Sequence, residues 1–116
     1  MKLDIVMVTF DCADPQGLAE FWTRALDMTV AFDAGEFMML SPNSGNGPAL
    51  GLQRVPEPRT GKNRVHIDLS TDNPAAEVRR LVELGARELG GYEAPGIRWR
   101  VLADPEGNEF CVGIHE

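Results

Sequence analysis

Residues 65–74 read Val-His-Ile-Asp-Leu-Ser-Thr-Asp-Asn-Pro, and this stretch decides the fold. Val65, Ile67 and Leu69 alternate with other residues, which is typical of a strand that buries one face. Asn73-Pro74 then combines an N-cap residue with a proline in the first helical turn. The stretch therefore predicts a strand that leads directly into a helix.

The same arrangement occurs once before, near the start of the chain. Alternating apolar residues span 4–10, and Asp14-Pro15 predicts a helix start 59 residues ahead of Pro74. Apolar residues at helical spacing follow each proline. They are Leu18, Phe21, Trp22, Ala25 and Leu26 in the first copy, and Val78, Leu81 and Val82 in the second, which ends near Gly85.

Three further strands are predicted after each helix. They cover residues 29–32, 37–40 and 49–55 in the first copy, and 88–92, 97–102 and 109–114 in the second. An offset of 58 residues near the end of each copy pairs Leu52 with Phe110 and Gln53 with Cys111. The sequence thus predicts an α+β fold of two βαβββ modules, about 1–55 and about 64–116, in a single domain of residues 1–116.

Strand alternation divides the predicted sheets into two faces. The wholly apolar set is expected to face the helices and comprises Val6, Val8, Phe10, Leu50, Leu52, Val65, Ile67, Leu69, Phe110 and Val112. The opposite set is mixed and comprises Ile5, Met7, Thr9, Gly51, Gln53, His66, Asp68, Glu109 and Cys111. Helices on the outer face would leave mixed sheets to curl around a ligand cleft lined by the second set. The solvent-exposed face of an ordinary sheet has the same composition.

Composition narrows the class of protein. The net charge of −7 does not favour binding to nucleic acid or an anionic membrane. Apolar stretches are far too short to span a bilayer, and Cys12 and Cys111 lack CxxC metal spacing. We therefore expect a cytoplasmic protein with two reduced thiols and no membrane or nucleic-acid partner.

Three motifs resemble the vicinal oxygen chelate superfamily, which includes glyoxalase-like and bleomycin-resistance domains. They are the run from Phe10 to Pro15 with Phe21-Trp22 and Ala25-Leu26, the run from Val65 to Leu69, and Asp104-Pro105-Glu106-Gly107-Asn108-Glu109-Phe110. The resemblance covers nearly the whole chain. It implies the two-module fold, a small-molecule ligand and a homodimer, and leaves open whether modules pair within one chain or between two.

Metal-using members of that superfamily bind a divalent ion through His or Glu on the first and last strands of each module. The resemblance places those positions at Met7, Gln53, His66 and Cys111, and only His66 is a typical match. A thioether and a neutral amide are poor ligands for hard divalent ions. We therefore expect no metal cofactor; if a divalent metal is bound, the predicted ligands are His66, Gln53 and Glu109.

Three functional hypotheses follow. The first is a metal-free binding protein that sequesters an aromatic metabolite or antibiotic, with a site formed by Met7, Gln53, His66, Trp99, Glu109 and Cys111, and with Met38 or Met39 in the lining. The second is a metal-dependent lyase, isomerase or dioxygenase. The third is a metal-free enzyme with His66 as general base or Cys111 as nucleophile. Against these stand structural roles: His66 as a hydrogen-bonded strand residue, Cys111 as an inert small apolar residue, and Trp99 as a packing residue.

Overall fold

The chain folds into two compact units that divide between Arg59 and Thr60. The computed structural model describes residues 3–95 and 97–115. Each unit contains one helix and one four-stranded sheet, so the predicted α+β fold of two βαβββ modules is confirmed. That the two modules form one domain stays a prediction.

The first unit follows the predicted order of elements. It contains β1 (Met7–Cys12), α1 (Pro15–Ala25), β2 (Met28–Asp33), β3 (Phe37–Pro42) and β4 (Ala49–Arg54). The sheet order is β1-β4-β3-β2, with β1 parallel to β4 and the other pairs antiparallel. The predicted alternation ends at residue 10, but β1 continues to Cys12, because pairing with β4 extends through the bond from Val55 N to Cys12 O (2.9 Å).

The second unit repeats this topology. It contains β5 (Asp68–Ser70), α2 (Pro74–Leu84), β6 (Arg87–Ala94), β7 (Ile97–Ala103) and β8 (Glu109–His115), with the sheet order β5-β8-β7-β6. Strand β5 is shorter than predicted, although the amide of Cys111 still donates to Ile67 O (2.9 Å) just before it. Hairpin β6–β7 is longer than predicted at both ends.

Both helices begin where the sequence predicts. Asp14 Oδ1 accepts the Gly17 amide (3.2 Å), and Asn73 Oδ1 accepts the Ala76 amide (3.2 Å), each satisfying a free donor of the first turn. Gly85 caps α2 at a φ of 123°, a left-handed conformation that glycine adopts readily. Among the residues described, no helix is long and apolar enough to cross a bilayer.

Each helix packs against one face of the sheet in its own unit. Trp22 is fully buried and makes edge contacts with Phe10 and Phe21, at centroid distances of 5.8 and 4.9 Å. Leu40, Leu50 and Leu52 complete the first core, and Leu81, Leu102, Phe110 and Val112 form the second. The helix-facing prediction is wrong for Val6 and Val65, which precede their strands and are 75% exposed.

A buried carboxylate organises the turn before β8. Asp104 is 4% exposed, and its Oδ1 accepts the amides of Glu106 and Asn108, both at 2.9 Å. The Asn108 side chain donates to Oδ1 (3.1 Å) and to Oδ2 (2.9 Å). Gly107 adopts a φ of 88° and donates to Asp104 O (2.8 Å), which closes the turn. The motif at residues 104–110 therefore fixes where β8 begins.

Candidate functional site

The candidate site is an open pocket of about 440 Å³ in the second unit. Its lining residues are Lys62, His66, Asp68, Tyr92, Trp99, Val101, Glu109 and Cys111. Along β8, Glu109 and Cys111 alternate with Phe110 and Val112, which belong to the core beneath α2. The pocket therefore lies on the sheet face opposite the helix, as predicted for the polar set of this unit.

His66, Asp68 and Cys111 form a compact cluster in this pocket. One donor atom of each lies within 4.8 Å of the others, and His66 Nδ1 is 3.6 Å from Asp68 Oδ1. The two surface side chains are about half exposed, at 46% and 51%, whereas Cys111 is buried. Asp68 lies opposite Cys111 in the β5–β8 ladder, so strand register brings these two groups together. The cluster offers one nitrogen, one oxygen and one sulfur donor.

Burial raises the pKa of the Cys111 thiol to about 11. The Asp68 carboxylate adds to this effect through its charge and a hydrogen bond, and the Glu109 carboxylate adds to it through its charge. Lys62 acts in the opposite direction and has the smallest effect of the three neighbouring groups. The thiol is therefore protonated at neutral pH, which does not favour Cys111 as a nucleophile in the metal-free protein.

The pH dependence of alkylation tests this state of Cys111. The folded pKa lies above the ordinary value of 9.0, so folding favours the neutral thiol. This contribution to stability is complete below pH 9.0 and is lost as the pH rises towards about 11. We expect iodoacetamide to modify Cys111 slowly below pH 9.0, with a rate midpoint near 11, measured by peptide-resolved mass spectrometry. The urea-unfolded chain is the reference, and a folded midpoint at or below 9.0 would contradict the prediction.

An aromatic pair forms another wall of the pocket. Tyr92 on β6 lies opposite Trp99 on β7, and their rings stack at a centroid distance of 5.7 Å and an interplanar angle of 25°. Tyr92 is 58% exposed, and Trp99 is half-buried. A role for Trp99 as a stacking surface for a ligand stays a prediction. Both rings line the pocket beside the polar cluster.

Gly113 allows β8 to lie close to β7 beside Trp99. A Cβ atom at Gly113 would lie 2.3 Å from the Arg98 carbonyl oxygen and 3.0 Å from Trp99 Cβ. No real Cβ tolerates the first of these distances to a backbone atom. The glycine is therefore required by packing next to the aromatic wall rather than by its φ angle.

Replacement of Gly113 by alanine is expected to lower the free energy of unfolding by about 1–3 kcal/mol, as overpacked sites do. The clash with the Arg98 carbonyl would push β7 from β8 and shift the fluorescence maximum of Trp99. Urea unfolding and emission spectra provide the measurement. Gly90→Ala is the matched control, because nothing lies within 4 Å of a Cβ at Gly90. Equal effects of both variants would contradict the prediction.

Side-chain hydrogen bonds of Asn63 connect the segment before β5 to the start of β8. Its Oδ1 accepts the Glu109 amide (3.0 Å), and its Nδ2 donates to Glu109 O (3.4 Å) and to Val65 O. Lys62 precedes Asn63, His66 follows it by three residues, and both line the pocket. The contacts of Asn63 therefore hold the segment from 62 to 66 against β8.

A larger cavity of about 870 Å³ lies beside the first turn of α2 and the outer surface of the β6–β7 hairpin. Two of its arginines are paired with neighbouring glutamates: Arg100 Nη2 lies 2.6 Å from Glu88 Oε2, and Arg98 Nε lies 3.8 Å from Glu93 Oε1. Tyr92 and Trp99 line both cavities, and the smaller pocket adds the thiol of Cys111 and the imidazole of His66. We therefore take the smaller pocket as the functional site.

The predicted site residues divide between the two units. His66, Trp99, Glu109 and Cys111 meet in the pocket, whereas Met7 and Gln53 belong to the first unit. Gln53 Nε2 donates to the carbonyl oxygens of Glu36 (3.1 Å) and Arg54 (3.2 Å). Roles for Met7 and Gln53 in ligand binding stay predictions. The metal ligands predicted as an alternative are His66, Gln53 and Glu109. The compact cluster shares only His66 with them and contains Asp68 and Cys111 instead.

The strand register corrects the predicted alignment of the two modules. Thr9 and Asp68 each precede their helix-start proline by six residues. Thr9 lies opposite Gly51, and Asp68 lies opposite Cys111, so the counterpart of Cys111 is Gly51 rather than Gln53. A shift of two residues keeps every side chain on the same face, so alternation alone cannot detect it. In the first unit, the position equivalent to Cys111 thus has no side chain.

Met7, Thr9 and Met39 lie around Gly51 on one face of the first sheet. A Cβ at Gly51 would lie 2.5 Å from Thr9 Oγ1 and 3.2 Å from Met7 Sδ. Met39 lies opposite Gly51, whereas Met38 lies opposite Leu52 and is 2% exposed. Of the two methionines considered for the lining, Met39 therefore shares the face of Met7, and Met38 belongs to the core.

Four pocket residues are missing from the predicted site: Lys62, Asp68, Tyr92 and Val101. The Pro95-Gly96 dipeptide is a hairpin-turn signal that would have placed Tyr92 opposite Trp99. Strand alternation places Asp68 on the pocket face, but the predicted site does not include it. Lys62 lies in the Pro- and Gly-containing segment between the two modules, where no strand or helix is predicted.

Comparison with known proteins identifies the fold. The family model described as "Glyoxalase-like domain" matches residues 7–113. No curated protein sequence matches the chain significantly. A glyoxalase/bleomycin resistance protein/dioxygenase family enzyme from Burkholderia phytofirmans PsJN is similar in structure, with a TM-score of 0.83 at 17% identity over 98% of this chain and 100% of that one.

Two further solved structures show the same fold. Fosfomycin resistance protein FosX from Mesorhizobium loti has a TM-score of 0.78 at 14% identity, covering 100% of this chain and 94% of its own. A superfamily member from Sphaerobacter thermophilus DSM 20745 has a TM-score of 0.77 at 20% identity, covering 98% of each chain. At such identities the likeness establishes the fold alone.

Proposed function

The chain belongs to the glyoxalase-like domain family, and a fold of this kind can host many unrelated activities. We therefore propose its function from the residues that line the pocket of the second unit. The proposed function is metal-free binding of a small planar aromatic molecule between the Tyr92–Trp99 wall and the groups at His66, Asp68 and Glu109. One observation carries the proposal: the stacked pair borders the same pocket as these polar groups.

The dimensions of the pocket support a ligand of one to three fused rings. A volume of about 440 Å³ falls within the range of about 300–1,000 Å³ typical of small-molecule sites. Val101 adds an apolar floor, and the half-exposed side chains of His66 and Asp68 remain open to hydrogen bonding. A neutral Cys111 thiol is compatible with contact to an aromatic ring.

Sequestration of an antibiotic is one biological role of such binding. FosX, which has the same fold, is a fosfomycin resistance protein. We propose an aromatic metabolite or antibiotic as the ligand of this chain, sequestered by binding alone.

Tryptophan fluorescence tests the proposed function. Trp22 is fully buried, and Trp99 borders the pocket, so a planar ligand is expected to quench only part of the emission. A panel of acridines, quinolines, flavins and naphthoquinones should contain compounds that quench wild-type protein. The Trp99→Phe variant, which retains an aromatic face, should bind the same compounds by calorimetry but show a smaller loss of emission than wild-type protein. An equal loss of emission in this variant would place the ligand away from Trp99 and sink the proposal.

A divalent-metal-dependent lyase, isomerase or dioxygenase is the second candidate. The favouring observation is the cluster of His66, Asp68 and Cys111, whose donors fit Zn²⁺ better than the harder divalent ions. Three protein ligands with a fourth position open are typical of a catalytic zinc site, and the ion would polarise a substrate oxygen. Binding would have to displace the thiol proton, so affinity should rise with pH.

Cobalt substitution tests this second candidate. If the cluster binds a metal, Co²⁺ added to the protein will produce thiolate-to-cobalt charge-transfer absorption in the near ultraviolet. Cys111→Ser should abolish that absorption, and Cys12→Ser, in the first unit, should retain it. Absence of the band from wild-type protein at alkaline pH would count against a metal site at this cluster.

We also propose that the protein is a cytoplasmic homodimer. Large apolar side chains remain exposed, with Ile5 at 79%, Val6 at 75% and Phe32 at 53%, and such exposure supports association between chains. Sedimentation velocity measures the assembly directly. A monomer at all accessible concentrations would contradict the proposed dimer.

A further inference from the structure

We infer that the pocket selects a planar aromatic cation, a fused-ring system bearing a protonated amine or amidine, over neutral and anionic molecules of the same shape. This inference rests on the proposed ligand-binding function of the pocket and adds the charge of the ligand. It is carried by the juxtaposition of two carboxylates with the face of a stacked aromatic pair.

The carboxylates outnumber the fixed cations of the pocket. Among the described residues that line it, Asp68 and Glu109 face a single lysine, Lys62. At the Cys111 sulfur, each carboxylate acts more strongly than that lysine. The Asp68 side chain is 51% exposed, so a ligand can reach its carboxylate. The balance of charge therefore favours a positive group on the ligand.

The arginines on either side of Trp99 do not change this balance. Arg98 and Arg100 alternate with Trp99 along β7, so they project from the other face of the sheet. There, Arg100 pairs with Glu88 at 2.6 Å and Arg98 with Glu93 at 3.8 Å. Their charges are directed at β6 rather than into the pocket.

The aromatic wall favours the same class of ligand. The faces of Trp and Tyr rings carry negative electrostatic potential and attract cations within about 6 Å. The rings of Tyr92 and Trp99 stack on each other, and the outward half of the pair remains accessible because Tyr92 is 58% exposed. A planar cation would thus stack on the aromatic wall and direct its positive group to Asp68 or Glu109.

Two probes of similar shape and opposite charge test the inference by calorimetry at neutral pH: proflavine, which is a planar cation, and acridine-9-carboxylate, a planar anion. We expect wild-type protein to bind proflavine at least about tenfold more tightly, with the difference shrinking as salt is added. Asp68→Asn and Glu109→Gln should each weaken proflavine about three- to tenfold without weakening the anion. Glu83→Gln removes an exposed carboxylate of α2, outside the pocket, and should have little effect.

The same experiment separates failure of this inference from failure of the proposed function. If Trp99→Ala weakens both probes but wild-type protein binds the anion as tightly as the cation, the site stands and the inferred charge preference is wrong. If Trp99→Ala binds both probes as wild-type protein does, the proposed site is wrong as well. If Glu83→Gln weakens proflavine as much as Asp68→Asn does, the preference arises from net charge, and the inference is overturned.

Discussion

Replacement of Trp99 by alanine is expected to weaken binding of planar aromatic ligands by about one to two orders of magnitude, since stacking on an aromatic side chain contributes about 1–3 kcal/mol. The substitution removes half of the stacked pair and leaves Tyr92 without its partner ring. Calorimetry with proflavine, or with the tightest compound from the panel, measures the loss. Trp99 is half-buried rather than part of a core, so the fold should survive the change.

Two control variants accompany Trp99→Ala. Trp99→Phe preserves an aromatic face and should retain binding within a few fold. Phe32→Ala removes an aromatic residue that is 53% exposed but belongs to the first unit, and should leave binding unchanged. Loss of binding in Phe32→Ala, with retention in Trp99→Ala, would contradict the assignment of the site to the second unit.

Replacement of Asp104 by alanine is expected to lower the free energy of unfolding by about 3–5 kcal/mol, because it removes a buried carboxylate that several donors require. The amides of Glu106 and Asn108 would lose their acceptor, and the Asn108 side chain would lose both of its bonds to Asp104. Urea or thermal unfolding provides the measurement.

Asp14→Ala is the matched control for Asp104→Ala, because Asp14 also precedes a proline. Its side chain caps α1 by accepting the Gly17 amide (3.2 Å) on an exposed surface. Loss of such a cap costs about 1 kcal/mol. An Asp104→Ala variant no less stable than Asp14→Ala would show that the buried turn does not anchor β8.

The sequence predicts the two-module fold because local and global signals agree in each copy. Asp14-Pro15 and Asn73-Pro74 start both helices at the predicted residues, and alternation assigns Leu52 and Phe110 to the core. The sequence does not correctly predict where the edge strands β1 and β5 begin. Val6 and Val65 continue the apolar alternation, but they lie outside the strands, and alternation does not say where pairing stops.

The site is predicted less completely than the fold. Alternation places His66, Glu109 and Cys111 on one face, the resemblance points to His66 and Cys111, and all three line the pocket. The predicted correspondence between Gln53 and Cys111 is wrong by two residues. Alternation cannot reveal this error, because a two-residue shift in register keeps side chains on the same face. The pairing of Tyr92 with Trp99 depends on the hairpin register, which includes a bulge between Glu88 and Gly90 that alternation did not predict.

NMR mapping of ligand contacts tests the central claim, that the pocket of the second unit binds a planar aromatic molecule, most directly. Uniformly ¹⁵N-labelled protein would be titrated with proflavine and followed by amide and indole correlation spectra. We predict that the largest shifts occur at the indole N–H of Trp99 and at the amides of Asp68, Val101, Glu109 and Cys111, with the Trp22 indole unchanged. Saturable shifts confined to residues outside this set, or no saturable shift by any planar compound, would contradict the account.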